Sequence, residues 1–296
     1  MNRTHFLEPR EDQIWQDLVY KGKAAHVRGP KIVRWTTKSY FINTFLRLDA
    51  GHRVLDIGCG LGEFTILAAR RAREVVGVDA AETAVTAARL AASRLGVDNV
   101  EFAVGNAYEL VGVVGEPESF DRVLCLDLIE HVSEPQKVMA QIHALLRPGG
   151  RALVYTNCYG RFSWVYLKEC WRTRGRPGRL WASDARDHHL HRFTLPELRE
   201  LTAPFHTRLV FKNHFLIPFA SWLTRRLNML LAPTPPAGEP ASSPEASSKT
   251  AVTVQETMRA PRRVAEVVKW ALSIAEMETL GRFLPSAGAY LLLEKR

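Results

Sequence analysis

The 296-residue chain is poor in the features that staple or anchor a protein. Its four cysteines, at 59, 125, 158 and 170, form no C-x-x-C pair. That usage speaks against both a disulfide framework and a cysteine zinc site, and fits reduced thiols. No apolar run approaches the roughly 18 residues a membrane span needs. The opening MNRTHFLEPREDQ has no apolar stretch of the kind that begins a secretory signal, and a cytoplasmic protein is expected. Internal repeats are absent. Acid is scarce relative to base, 31 Asp and Glu against 40 Lys and Arg, a formal net charge of +9. Such an excess either reflects arginine-rich composition or marks an anionic partner: nucleic acid, a membrane surface or a phosphorylated substrate.

What is present is one sizeable core. With 46% hydrophobic residues the chain can bury one main domain with an elaboration. From residue 53 to about 156, strand and helix patterns alternate. Strands are expected at Arg53–Ile57, Glu74–Asp79, Val100–Val104, Phe120–Leu126 and Arg151–Thr156, with helices at Gly62–Arg71, Glu82–Leu95 and Glu134–Leu146. LRPGG, 146–150, reads as a helix stop followed by a tight turn. A short helix over Thr194–Thr202 and strands at His206–Lys212 and Ala289–Glu294 complete the pattern. This alternation indicates an α/β fold with a doubly wound, mostly parallel, seven-stranded Rossmann-like sheet. The chain then divides into an N-terminal helical lid (1–48), a catalytic domain (49–212 plus 286–296) and a helical insertion before the last strand (213–285). Within the insertion, 232–249 has five prolines and no large apolar residue, and disorder is expected there.

The densest motif is RVLDIGCGLGEFT, 53–65, where Gly58, Gly60 and Gly62 follow an apolar strand and precede a helix. Glycines at such a turn let the backbone approach a ligand closely, with the N–H groups of the helix start facing it. A dinucleotide would call for G-x-G-x-x-G. Here the spacing is G-x-G-x-G, and Glu63 stands where a pyrophosphate would have to lie. Asp79, at the end of the second strand, is suited to ribose hydroxyls, and Asp56 to an amino group. A ligand with a ribose, an adenine, a free amino group and no phosphate satisfies these residues.

RVLDIGCGLGEFT, VVGVDAAE, GNAYEL, FDRVLCLDLIEHV and LRPGG occur in an order that resembles the class I S-adenosylmethionine-dependent methyltransferases. The resemblance covers about residues 50–156. It implies S-adenosylmethionine as cofactor and S-adenosylhomocysteine as product. It places Asp56, Gly58, Cys59 and Gly60 along the methionine part, Asp79 and Ala80 at the ribose, Asn106 and Ala107 beside the adenine, and Leu126 at the sulfonium. Asn106 departs from the acid usual in the family, so an amide contact is expected there.

Reacting groups in such sheets lie beyond the carboxyl ends of the strands. After the fourth strand, Asp127, Glu130 and His131 are spaced i, i+3, i+4, which a helical turn would group on one face. Three readings stand: a helix cap, a general base at His131 supported by Glu130, or a divalent-cation site of Asp127, Glu130 and His131. The stretch is most similar to ubiquinone-biosynthesis O-methyltransferases, which commonly have Glu at the Asp127 position; the shorter Asp arm argues against a cation, and a bound metal is not expected. In DARDHHLHRFT, 184–194, the histidines 188, 189 and 191 precede a helix. His189 and His191 alternate and would point the same way toward an acceptor.

Acceptor class follows from what is missing after the fourth strand. LDLIEH lacks the Pro-Pro-aromatic motif of amino-methylating nucleic-acid enzymes, and no cysteine follows a proline as cytosine C5 chemistry requires. A small-molecule or lipid-linked acceptor, methylated at oxygen, is expected, and nucleic acid is not. The alternatives are an RNA methyltransferase using the basic 171–192 loop, where 171–180 holds four arginines and no acid, and a non-catalytic S-adenosylmethionine-binding protein. The oligomeric state is not legible.

In FLIPFASWLTRRLNMLL, 215–231, Phe219, Trp222, Leu223, Leu227, Leu230 and Leu231 share one helical face with Arg226 inside it. A second helix, about 262–280, carries Val264, Val267, Val268, Ala271 and Ala275 at helical spacing. Both helices either pack as an acceptor lid or lie on an anionic membrane surface, where Arg226 snorkels to headgroups and the protein is peripheral at the inner membrane face. The membrane version predicts co-sedimentation with anionic liposomes, weakened by salt and by Trp222→Ala plus Leu223→Ala. Protein left in the supernatant at low salt assigns the helices to a lid.

Overall fold

A computed structural model describes residues 37–157, 170, 171, 174, 189–213 and 288–296. The proposed insertion helices, the 232–249 segment, the first 36 residues, Cys158 and His188 lie outside the described residues, as does the basic stretch 171–180 apart from Trp171 and Arg174.

In chain order the elements are α1 (Thr37–Thr44), β1 (Arg53–Ile57), α2 (Glu63–Ala69), β2 (Glu74–Asp79), α3 (Glu82–Arg94), β3 (Val100–Val104) and β4 (Phe120–Leu126). They continue with α4 (Pro135–Leu145), β5 (Leu146–Asn157), α5 (Leu195–Leu201), β6 (His206–Asn213) and β7 (Gly288–Glu294). The seven strands form one sheet in the order β3-β2-β1-β4-β5-β7-β6. β7 runs antiparallel to both of its neighbours, and β3 through β5 are parallel.

The sheet is apolar on both faces because the central strands alternate two sets of buried residues. Leu55, Val123, Cys125, Val154 and Leu291 face one side, where Val138, Ile142 and Leu198 of α4 and α5 cover them. Val54, Leu124, Leu153 and Leu292 face the other, under Phe41 and Ile42 of α1 and Ala68 and Ala69 of α2. Phe41 stacks on Tyr290 with ring centroids 4.0 Å apart, which seats α1 on the sheet. Among the described residues no helix is long and apolar enough to cross a membrane.

One boundary differs from the sequence pattern. LRPGG is not a free turn: β5 already begins at Leu146, opposite Phe120, and an irregularity follows before Arg122 meets Arg151. Gly149 N–H donates to the Lys295 carbonyl and Lys295 N–H to the Gly150 carbonyl, at 2.9 Å each. The end of the chain thus draws the turn into the sheet as a bulge.

At the start of α2, Gly62 has φ 78°, and a Cβ there would lie 2.9 Å from Ala88 Cβ and from the Phe102 ring. Both neighbours are buried. Gly62→Ala therefore combines left-handed backbone with overpacking, and a loss of about 1–3 kcal/mol in stability is expected by urea unfolding.

Candidate active site

The carboxyl edge of the sheet is organised by two buried acids. Gly58 and Gly60 follow β1 with φ of 74° and 53°, which turns the chain back across the strand ends. Gly58 and Cys59 donate their N–H groups to the Val78 carbonyl, at 2.8 and 3.0 Å. Asp79 closes the arrangement: its Oδ2 accepts Gly60 N–H at 2.8 Å and its Oδ1 accepts Ala81 N–H at 2.9 Å. One carboxylate thereby fastens the turn after β1 to the turn after β2.

Asp56 is buried and accepts the Thr65 hydroxyl at 2.6 Å. Burial, opposed by the Thr65 hydrogen bond and reinforced by the nearby charge of Asp79, pushes its carboxyl up to about 7. Burial also raises the Cys59 thiol well above its ordinary range, so it remains a thiol. Leu128 comes from the turn after β4, and its side chain would meet a Cβ on Gly58 at 3.2 Å.

These residues fit the cofactor that the sequence implies. The glycine turn bends the backbone sharply at positive φ, the Asp79 carboxylate stands at the second strand end, and Glu63 in the first turn of α2 opposes a pyrophosphate. Asn106 follows β3, and Gly105 N–H donates to the Asp79 carbonyl at 3.0 Å, so the Asn106–Ala107 turn leaves beside Asp79. The Asn106 amide oxygen accepts Tyr108 N–H at 3.0 Å. Leu126, at the end of β4, is buried.

The second group of predicted residues assembles differently from its spacing. Asp127 to His131 is a turn, not a helix: Asp127 has φ 53°, and His131 N–H donates to the Leu128 carbonyl at 2.9 Å. Asp127 N–H donates to the Tyr155 carbonyl at 3.0 Å, and its carboxylate is ion-paired with the Lys38 ammonium. Lys38 comes from α1 and lies 4.9 Å from the centre of the Tyr155 ring. No sequence signal singled it out.

Glu130 is wholly buried. Its Oε2 accepts the Thr156 hydroxyl at 2.8 Å, whereas Oε1 has no partner among the described residues. Its backbone carbonyl accepts N–H groups from Leu190 and His191, at 2.8 and 3.1 Å, which brings the second histidine cluster against the first. His131 and His189 face each other with ring centroids 4.8 Å apart, and Asn157 Nδ2 lies 3.4 Å from His189 Nε2. His191 lies farther along the same turn: its Nε2 donates to the Ser133 carbonyl at 3.2 Å and its ring stacks on Phe193. Ligand atoms of Glu130, His131 and His189 lie within 4.8 Å of one another. Among the described residues the trio that could hold a cation is this one, not Asp127, Glu130 and His131, because Lys38 has taken Asp127 and a non-helical turn separates it from the pair.

Residues 48–174 match the family model described as a methyltransferase domain. Across the glycine turn and β1 to β5 this part of the chain is similar to a methyltransferase domain. Its sequence is 34% identical over 143 residues to a ubiquinone biosynthesis O-methyltransferase of Aeromonas salmonicida, a match covering 48% of this chain and 56% of the relative. The chain thus spans about half the length of that relative. The fold is shared with the YcgJ protein of Bacillus subtilis, at TM-score 0.52 and 20% identity over 87% of this chain and 97% of that one. It is shared also with geranyl diphosphate C-methyltransferase of Streptomyces coelicolor, solved with Mg2+, geranyl diphosphate and S-adenosyl-L-homocysteine, at TM-score 0.55 and 14% identity over 88% and 78% of the two chains.

Burial, and next the charge of Asp127, raise the Glu130 carboxyl to about 7. A carboxyl raised on folding favours the protonated folded state. Its stabilising share is complete below the unfolded value of 4.5 and is lost as pH rises through about 7. Glu130→Gln keeps an acceptor for Thr156 and removes the ionisation. The variant is expected to gain on the wild type by up to about 3 kcal/mol between pH 4.5 and 8 in urea unfolding. Parallel pH profiles would show that Glu130 ionises in its ordinary range.

Proposed function

We propose that the protein transfers a methyl group from S-adenosylmethionine to an oxygen of a small-molecule or lipid-linked acceptor, leaving S-adenosylhomocysteine. The observation that carries this reading is the Glu130, His131 and His189 cluster, set on the same sheet edge as the Asp79-fastened glycine turn. The cofactor, when bound, supplies an electrophilic methyl on a sulfonium, so the protein's task is placement and proton handling.

Asp79 is suited to accept from the ribose hydroxyls and Asp56 from the cofactor ammonium, while the backbone at Gly58, Cys59, Gly60 and Ala80 forms the wall between them. Asn106 and Ala107 take the adenine side and Leu126 the sulfur side. Alignment of this kind contributes roughly 7–11 kcal/mol to such displacements. His131 or His189 takes the hydroxyl proton as general base, an effect of about 10²–10⁴-fold. An ionised Glu130 favours the imidazolium that results, and the Leu190 and His191 N–H bonds to its carbonyl hold the histidine loop in place. The name of the Aeromonas salmonicida relative supports a hydroxyl on a quinone-like lipid precursor as the acceptor class. The protein would then act in the cytoplasm or peripherally at the inner membrane face.

A second reading has a specific observation behind it. Glu130 Oε1 is buried without a partner among the described residues, and a divalent cation held by Glu130, His131 and His189 would satisfy it. Such a cation would orient an acceptor hydroxyl and lower its pKa.

Calorimetry with S-adenosylhomocysteine tests the cofactor half: binding is expected, weakened by about 1–3 kcal/mol in Asp79→Ala through lost charged hydrogen bonds. Tighter binding of NAD overturns it. Transfer of labelled methyl into the lipid-soluble fraction of a cell extract tests the acceptor half. His131→Ala and His189→Ala should lower turnover far more than cofactor affinity, whereas label in RNA points to the basic loop and binding without transfer to a non-catalytic role. Full activity after EDTA rejects the cation.

A further inference from the structure

The loop between β3 and β4 carries a tyrosine that the methyl-transfer reading leaves unused. The Tyr108 phenol oxygen accepts the N–H groups of Ser133 and Glu134, at 2.9 and 3.3 Å. It also lies 2.9 Å from Ser133 Oγ. With both lone pairs taken by N–H donors, the phenol O–H is the donor to the Ser133 hydroxyl. These N–H groups immediately precede α4, where a helix start leaves donors unsatisfied. Glu134, the N-cap residue, makes no side-chain capping bond. The two residues leading into α4 are thus held from a distant loop.

Ser133 is bonded on its other side as well. Its carbonyl accepts His191 Nε2–H at 3.2 Å. His191 N–H in turn donates to the Glu130 carbonyl. One residue, Ser133, therefore stands between Tyr108 and both the histidine loop and the Glu130 turn.

At its other end Tyr108 is tied to the proposed base side of the cofactor site. Its N–H is held by the Asn106 side chain, and Gly105 is held by Asp79. The phenol bonds are not needed to fasten this loop to the domain. Gln141 of α4 already accepts the N–H groups of Leu110 and Val111, at 2.8 and 2.9 Å.

We propose that Tyr108 is a positioning residue that couples occupancy of the cofactor's base site at Asn106 to the placement of His191, through Ser133. The proposal rests on the cofactor reading above. A ligand that orders the 105–108 turn sets the phenol, the phenol sets Ser133, and the Ser133 carbonyl sets the imidazole. The device gives the acceptor side its working geometry only when the cofactor's base is in place.

The test uses the full chain with isotope-labelled histidine, His191 being assigned by His191→Gln. Saturating S-adenosylhomocysteine is expected to shift the His191 imidazole signals in the wild type, while homocysteine, which lacks the adenosine, leaves them in place. Tyr108→Phe should bind S-adenosylhomocysteine within about threefold of the wild type and lose most of the shift, a coupling of the size expected for one shared residue. Should that variant fail to fold, Ser133→Ala removes the hydroxyl partner and is expected to lose part of the shift. A full shift in the folded variants, an equal shift with homocysteine, or binding to the wild type without any shift overturns the coupling. Absence of binding to the wild type overturns the cofactor reading itself, and calorimetry distinguishes that failure from the others.

Discussion

The Asp79 carboxylate is the tie on which the carboxyl edge of the sheet depends. A parallel sheet ends in carbonyls and N–H groups that the next element must satisfy, and the turns after β1 and β2 would otherwise be independent. By accepting from Gly60 and Ala81 at once, Asp79 holds the two turns at a fixed separation. The Gly58 and Cys59 bonds to Val78 reinforce it, and the Gly105 bond to the Asp79 carbonyl extends the same line to β3. A wall built of backbone in this way needs little side-chain volume, which is why glycines and small residues occupy it.

The neighbouring strands solve a different problem. Glu130 is a charged residue type at full burial, a costly placement unless hydrogen bonds or a proton compensate it. Thr156 satisfies one oxygen, and a carboxyl that takes up a proton near pH 7 relieves the rest. Perturbed acids of this kind gather where chemistry is done. The backbone of Glu130 works as hard as its side chain, since its carbonyl is the seat of the histidine loop. The Lys38–Asp127 ion pair then brings α1 to the same edge, so that elements from three parts of the chain meet there.

Much of this was legible without coordinates. The strands β1, β2 and β4 could be placed because a strand buried on both faces is a near-continuous apolar run, whereas β3, at the sheet edge, buries only Phe102. The residues around Gly58, Asp79 and Asn106 could be named because they sit at strand ends. The exceptions share one cause. β5 begins early because Lys295, at the far end of the chain, pairs with its bulge. Asp127, Glu130 and His131 have helical spacing but no helix, since Asp127 adopts a left-handed turn that its bond to Tyr155 supports. Lys38 and Tyr108 carry no local pattern, because a lysine on a short helix and a tyrosine in a loop are ordinary until their partners are known.

The α/β class, the glycine turn and the carboxylates that belong to it are readable along the chain, because periodicity and strand-end chemistry are local properties. That His189 rather than Asp127 joins Glu130 and His131, and that Ser133 links Tyr108 to His191, emerges from the fold. The reason is physical: a strand end brings whatever follows it to one edge of the sheet, but which side chains then meet depends on turn dihedrals and long-range hydrogen bonds that spacing along the chain does not encode.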